Sequence, residues 1–124
     1  MVSVRYIVDD VDKAIEFYTR YLAFELKMHP APTFAILVKD DLRLLLNSPS
    51  TIGGGGQSMS DGEKPKPGGW NRISLQVSDL AAIVEDLRKK GARFRSDVII
   101  GIGGNEILLL YPAGNLIELF EPKK

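Results

Sequence analysis

The chain has no cysteine and a single histidine among its 124 residues, and each scarcity removes a class of chemistry. Without cysteine there is no disulfide, no thiolate nucleophile and no cysteine-bound metal. The one histidine, His29, stands next to Pro30, belongs to no metal-ligand pattern and reads as an exposed turn residue rather than a ligand or base. An excess of charge of one sign is also missing. Sixteen Lys and Arg residues balance sixteen Asp and Glu residues, so no net field draws the protein to nucleic acid or to an anionic lipid surface. No apolar run approaches the roughly 18 residues of a membrane span, and the N-terminus lacks a basic stretch leading into an apolar one. The expected location is the cytoplasm, with neither membrane nor nucleic acid as a partner.

What is present is a repeat. With 44% apolar and 26% charged residues the composition is that of an ordinary globular domain, and the same pattern occurs twice within it. V-x-V-x-Y-I-V-D-D-V-D-K-A-I-E-F-Y in the first half answers to I-S-L-Q-V-S-D-L-A-A-I-V-E-D-L in the second, with Asp10 matching Asp79 at an offset of 69. Period-two alternation over 2–8 predicts a strand. Asp9 or Asp10 then offers an N-cap to a helix whose buried face is Val11, Ala14, Ile15, Tyr18 and Leu22. Two further strands are predicted at 24–28 and 33–38 around a Pro30-Ala31-Pro32 turn, and Asp40-Asp41 makes a hairpin into a strand at 42–47.

The second half repeats the scheme: a strand at 72–77, an N-cap at Ser78 or Asp79, and a helix burying Leu80, Ile83, Val84 and Leu87, closed by Gly91. Strands at 94–100, 106–111 and 116–121 follow. Gly101-Ile102-Gly103-Gly104 opens no helix, so it reads as a hairpin turn and not as a phosphate loop. The fold class is α+β, two βαβββ modules: module one 1–49, a Gly/Pro-rich segment 50–69, and module two 70–124. The middle segment, with Gly53–Gly56 and two prolines, reads as a linker, a mobile lid being its functional alternative.

Y-I-V-D-D-V-D-K-A-I-E-F-Y-T-R-Y-L-A-F over 6–24 and Y-P-A-G-N-L-I-E-L-F-E-P over 111–122 resemble the vicinal oxygen chelate superfamily. It includes glyoxalase I, extradiol dioxygenases, fosfomycin-resistance enzymes and metal-free bleomycin-binding proteins. The resemblance implies paired modules forming cup-shaped curved sheets with helices packed outside, commonly completed as a homodimer. In the metalloenzymes of that group, ligands come from a His early in a module's first strand and a Glu near the middle of its last. Carried over by position, those sites are Ser3 and Arg72 for the histidines, and Leu45 and Glu118 for the glutamates. Only Glu118 matches, and one ligand of such a set cannot hold a divalent ion where catalytic sites use about three. The resemblance therefore implies a member with no family metal site, and no cofactor.

On the same resemblance Arg72 and Glu118 face one cavity and pair where a metal would sit. That pair is open to two readings: a salt bridge satisfying two charges, or a forked donor that grips a ligand's carboxylate or carbonyl. Alternation puts Ser3, Arg5, Ser74 and Gln76 on the same face, and Phe120 shares the parity of Glu118. Trp70 either stacks on a flat ligand at the rim or covers the junction between modules, the packing role being favoured. Arg72, Glu118, Arg5, Ser3, Ser74, Gln76, Phe120 and Trp70 are the expected ligand-binding residues, with no catalytic residue assigned. The function read from this is a metal-independent binding protein that sequesters an aromatic or heterocyclic small molecule. The alternative is a glyoxalase-like lyase or isomerase, or a dioxygenase-related enzyme, with a shifted metal site.

Overall fold

The computed structural model describes residues 1–50 and 55–123. The chain divides into two compact units, Met1–Gly68 and Gly69–Lys124. The first runs β1 (Val2–Ile7), α1 (Val11–Leu22), β2 (Glu25–Ala31), β3 (Phe34–Lys39) and β4 (Leu42–Asn47). Its four-stranded sheet has the order β1-β4-β3-β2, with β1 parallel to β4 and the remaining pairs antiparallel. The second runs β5 (Ile73–Gln76), α2 (Leu80–Lys89), β6 (Arg93–Phe94), β7 (Ile99–Ile100), β8 (Gly104–Leu110) and β9 (Leu116–Pro122). Its order is β5-β9-β8-β6, with β7 also on β8. In each unit the first strand lies parallel to the last. No described helix is long and apolar enough to cross a membrane.

Both helices begin as their sequences predict. Asp10 Oδ1 accepts from the Lys13 amide and Asp79 Oδ1 from the Ala82 amide, each at 3.1 Å, which satisfies one of the orphan N–H groups of a first turn. Glu121 adds a second partner in the second unit, its Oε1 accepting from Leu80 N at 2.7 Å. Strand alternation then decides the core. Tyr6, Val8, Ala35, Leu37, Leu44 and Leu46 are buried with Val11, Ala14, Phe17, Tyr18 and Leu22 of α1. Ile73, Ile107, Leu109, Ile117 and Leu119 are buried with Leu80, Val84 and Leu87 of α2. The intervening residues of each strand occupy the other face of the sheet.

Two strand expectations are corrected. Pro30 does not turn the chain: β2 continues to Ala31, and only Pro32 and Thr33 separate it from β3. A proline is tolerated there because β2 is an edge strand with register shifts between Leu26 and Met28 and between Met28 and Ala31. His29 is thus a strand residue, its Nε2 3.5 Å from Asp12 Oδ1 of α1. The run 94–100 is not one strand but two short ones, β6 and β7. Between them Arg95 N donates to Leu108 O (2.8 Å) and Ser96 Oγ accepts from Leu108 N (3.1 Å), so a hydroxyl stands in for a carbonyl of the ladder. The Gly101–Gly104 hairpin is present, closed by Gly101 N donating to Gly104 O at 2.9 Å.

Of the glycine run at 53–56, positions 53 and 54 lie outside the described residues. A Cβ at Gly55 would strike the Arg5 guanidinium and one at Gly56 the Ser48 carbonyl. Ser50 N donates to Gly56 O at 2.8 Å, and Met59 N to Glu63 O at 2.8 Å, so the described part of this segment makes hydrogen bonds within the first unit.

Candidate functional site

Register builds the site. In the second unit Ser74 lies opposite Glu118, which lies opposite Leu108, and Gln76 lies opposite Phe120, which lies opposite Glu106. These rows occupy the face of the sheet turned away from Ile117 and Leu119. Arg72, one residue before β5, reaches across them. Its Nε donates to Glu118 Oε1 at 3.2 Å and its Nη2 approaches the same oxygen at 3.1 Å. Ser74 Oγ donates to Glu118 Oε2 at 2.7 Å, and Arg72 Nη1 donates to the Trp70 carbonyl at 3.3 Å. Glu106 Oε2 lies 3.8 Å from Arg72 Nη2, too long for a hydrogen bond.

The proton affinities of the two carboxyl groups are shifted in opposite directions. The hydrogen bond to Glu118 pushes the Glu106 carboxyl above its ordinary range, helped by burial and by the charge of Glu118 and opposed by Arg72. Burial works against the charged form of Glu118. The hydrogen bonds from Ser74, Glu106 and Arg72, with the guanidinium charge, nevertheless hold its carboxyl below the ordinary range. The result is a Glu118 carboxylate clasped on both oxygens and a Glu106 carboxyl that keeps its proton to higher pH.

Arg72 and Glu118 do pair, but the pairing changes what Arg72 can offer. Its guanidinium holds Glu118 and a backbone carbonyl, which leaves an N–H on each terminal nitrogen for a ligand. Trp70 is 65% exposed, and Arg95 lies over its ring at 5.5 Å from the centroid. Phe120 is half-buried beside Glu118, and Gln76 is exposed one row further on. Ser3 and Arg5 belong to the first unit, exposed on the face of β1 opposite Tyr6 and Val8.

The sequence reading missed Glu106. Its signal was present: it is the only charged residue in the run from Ile107 back through Gly104 and forward to Leu110, and it has the parity of Leu108, the neighbour of Glu118.

The donor set does not fit the divalent ion that the superfamily's metalloenzymes hold. A permanent guanidinium lies 3.1 Å from Glu118 and 3.8 Å from Glu106, a fixed cation against the two carboxyl groups that a divalent ion would need. Register confirms Leu45 as the first unit's counterpart of Glu118, because it lies opposite Arg5 as Glu118 lies opposite Ser74. Leu45 and Ser3 offer no strong ligand in its place.

Comparison with known proteins agrees with this architecture. The Glyoxalase/Bleomycin resistance protein/Dioxygenase superfamily profile matches residues 1–119. Mitochondrial methylmalonyl-CoA epimerase from Mus musculus is 33% identical over 125 residues, which span 90% of this chain and 67% of the relative. Among solved structures, a glyoxalase/bleomycin resistance protein/dioxygenase superfamily member from Sphaerobacter thermophilus superposes with a TM-score of 0.75 at 28% identity, covering 96% of this chain and 94% of that one. The antibiotic binding protein TnmS3 from a Streptomyces species has a TM-score of 0.73 at 21% identity, covering 98% of this chain and 93% of that one.

Proposed function

Because the chain belongs to the Glyoxalase/Bleomycin resistance protein/Dioxygenase superfamily, we propose that it is a metal-independent small-molecule binding protein, taking an aromatic or heterocyclic ligand. The ligand would lie on the face of the second unit that carries Arg72, Ser74, Glu118 and Phe120. One observation carries this reading: the place a metal would need holds a guanidinium ion-paired to Glu118 at 3.1 Å. Around it stand a few polar groups over Leu108 and Phe120, the mixture small-molecule sites use. The test is calorimetric titration of chelator-treated protein with a panel of aromatic and heterocyclic compounds. Binding unaffected by chelation and weakened by Arg72→Ala supports the proposal. Binding that appears only after a divalent metal is added overturns it.

A second reading has its own observation. Two carboxyl groups whose proton affinities are driven apart are the arrangement from which acid–base catalysis is built. The relative named methylmalonyl-CoA epimerase gives that reading a reaction class, epimerisation, and a substrate to try. Incubation with methylmalonyl-CoA in deuterium oxide tests it, with α-deuteration as the positive result.

The same proposal includes a cytoplasmic homodimer. Ile100 is 81% and Ile102 95% exposed, apolar surface that a second copy would cover. Sedimentation of the intact chain at micromolar concentration distinguishes dimer from monomer.

A further inference from the structure

We propose that Arg95 is a ligand-binding residue and that, with Arg72, it selects flat ligands bearing a single negative charge, of the aromatic carboxylate class. The inference rests on the binding reading above and adds to it the ligand's charge and a residue that holds it. Arg95 lies just beyond β6, yet the ladder continues through it. Arg93 is opposite Leu110 and Phe94 opposite Leu109, and Arg95 N donates to Leu108 O at 2.8 Å. Phe94 turns toward the helix, where Arg88 of α2 lies over its ring at 5.3 Å from the centroid. Arg93 and Arg95 therefore occupy the opposite face, the one that carries Leu108 and Glu118.

Trp70 joins the two arginines. Its carbonyl accepts from Arg72 Nη1 at 3.3 Å, and its ring lies under the Arg95 guanidinium, 5.5 Å from the centroid. Arg72 keeps one N–H on each terminal nitrogen after its contacts with Glu118 and Trp70. Arg95 is exposed, and among the described residues no carboxylate pairs with it. This face carries Arg72, Arg93 and Arg95 against Glu106 and Glu118. With every group ionised the surplus is one positive charge, and the raised proton affinity of Glu106 adds to it. A monoanion balances that surplus, a cation increases it, and a dianion overshoots it. A planar carboxylate also matches the fork of a guanidinium, while the largely exposed Trp70 and half-buried Phe120 offer apolar surface to the ligand's ring.

Three isosteric probes separate charge from shape: benzoate, benzamide and benzamidine, titrated into the nitrogen-15-labelled intact chain and followed by correlation spectra. The expected result is that benzoate moves the Nε–H resonances of Arg95 and Arg72 and the indole resonance of Trp70, the only tryptophan. It should bind about ten-fold more tightly than benzamide, the margin a charge-assisted hydrogen bond gives over a neutral one, with benzamidine weaker still. Arg95→Gln, a change at an exposed side chain, should bring benzoate down to the level of benzamide and leave benzamide unchanged. Arg88→Gln removes the same charge from the helix side and should leave benzoate binding as it is. If benzamide or benzamidine matches benzoate, if Arg95→Gln preserves the preference, or if Arg88→Gln abolishes it equally, the assignment to Arg95 is wrong while the binding site stands. If none of the three probes perturbs this face, the binding reading and this inference fall together. The wild-type comparison of probes needs no variant to fold.

Discussion

The two units place opposite chemistry on equivalent positions. On the face away from the helix the first unit has Ser3, Arg5, Phe34 and Leu45; the second has Arg72, Ser74, Glu106 and Glu118 at the matching register points. Both units bury the same alternation beneath the helix, so the repeat is conserved where it packs and abandoned where it faces outward. A sheet face freed from packing is where a duplicated module can acquire chemistry without losing its fold. On these positions the second unit carries two carboxyl groups where the first carries Phe34 and Leu45, and each unit carries one arginine.

The shared half of that comparison can be broken most severely. Leu44 and Ile117 are equivalent, each fully buried beneath its helix. Truncation to alanine should cost about 2–5 kcal/mol in either unit, the transfer term plus the cavity left behind. Denaturant unfolding measures both. Similar losses would show that the two units are stabilised alike, and a loss confined to one variant would break the equivalence.

The divergent half gives the next largest effect. Glu118→Leu imposes the first unit's residue on the second and leaves Arg72 and Ser74 without their acceptor, at a cost of roughly 1–3 kcal/mol. Adding Arg72→Ser, again the first unit's residue, should recover most of that loss, because removing both members of a pair leaves no stranded charge. The coupling energy from this double-mutant cycle is the direct measure. Additive losses would mean that the 3.1 Å contact contributes nothing.

Most of the fold was legible in the sequence because burial writes itself as periodicity. Asp10 and Asp79 announced both helices, and alternation in 2–8 and 72–77 put the correct residues under them. The errors came where local signals compete with edge geometry. Pro30 reads as a turn, yet an edge strand needs no donor from it. The run 94–100 reads as one strand, yet Ser96 supplies a side-chain acceptor that allows the backbone to break. At the site, the Arg72–Glu118 pair was reached through positional equivalence. Glu106 was missed because its partnership depends on the β8–β9 register, which no single strand's pattern states.

The carboxyl pair makes a pH comparison that the first unit cannot make. Glu106 has its folded-state pKa raised, so its contribution to stability is complete below the ordinary glutamate pKa and is lost as pH rises through the folded value. Glu118 has its value lowered, so its contribution is present above the ordinary pKa and is lost as pH falls through the folded value. Glu106→Gln keeps a donor for Glu118 but cannot ionise. Its melting temperature relative to wild type should therefore climb between acid and neutral pH. Glu118→Gln should show the reverse, its deficit shrinking as pH falls. Parallel melting curves across pH for wild type and both variants would refute the opposed shifts.

The smallest effects lie at the helix ends, where the two units solve one problem with different residues. α2 ends in a Schellman arrangement: Gly91 at φ 89°, its N–H donating to Arg88 O at 3.0 Å and Ala92 N to Leu87 O at 2.9 Å. α1 ends on Ala23 at φ 58°, with Phe24 N donating to Tyr18 O at 3.1 Å. A left-handed conformation costs an alanine roughly 1–2 kcal/mol that glycine escapes, and glycine gives back part of it through its looser unfolded chain. Ala23→Gly should therefore stabilise by about 0.5–1 kcal/mol. Gly91→Ala should destabilise by about 1 kcal/mol, with no steric addition because nothing lies within 4 Å of the added carbon. Chemical denaturation resolves both, and effects of opposite sign are required. If Ala23→Gly destabilises, the first unit holds its left-handed residue through side-chain contact, and the two termini are not variants of one cap.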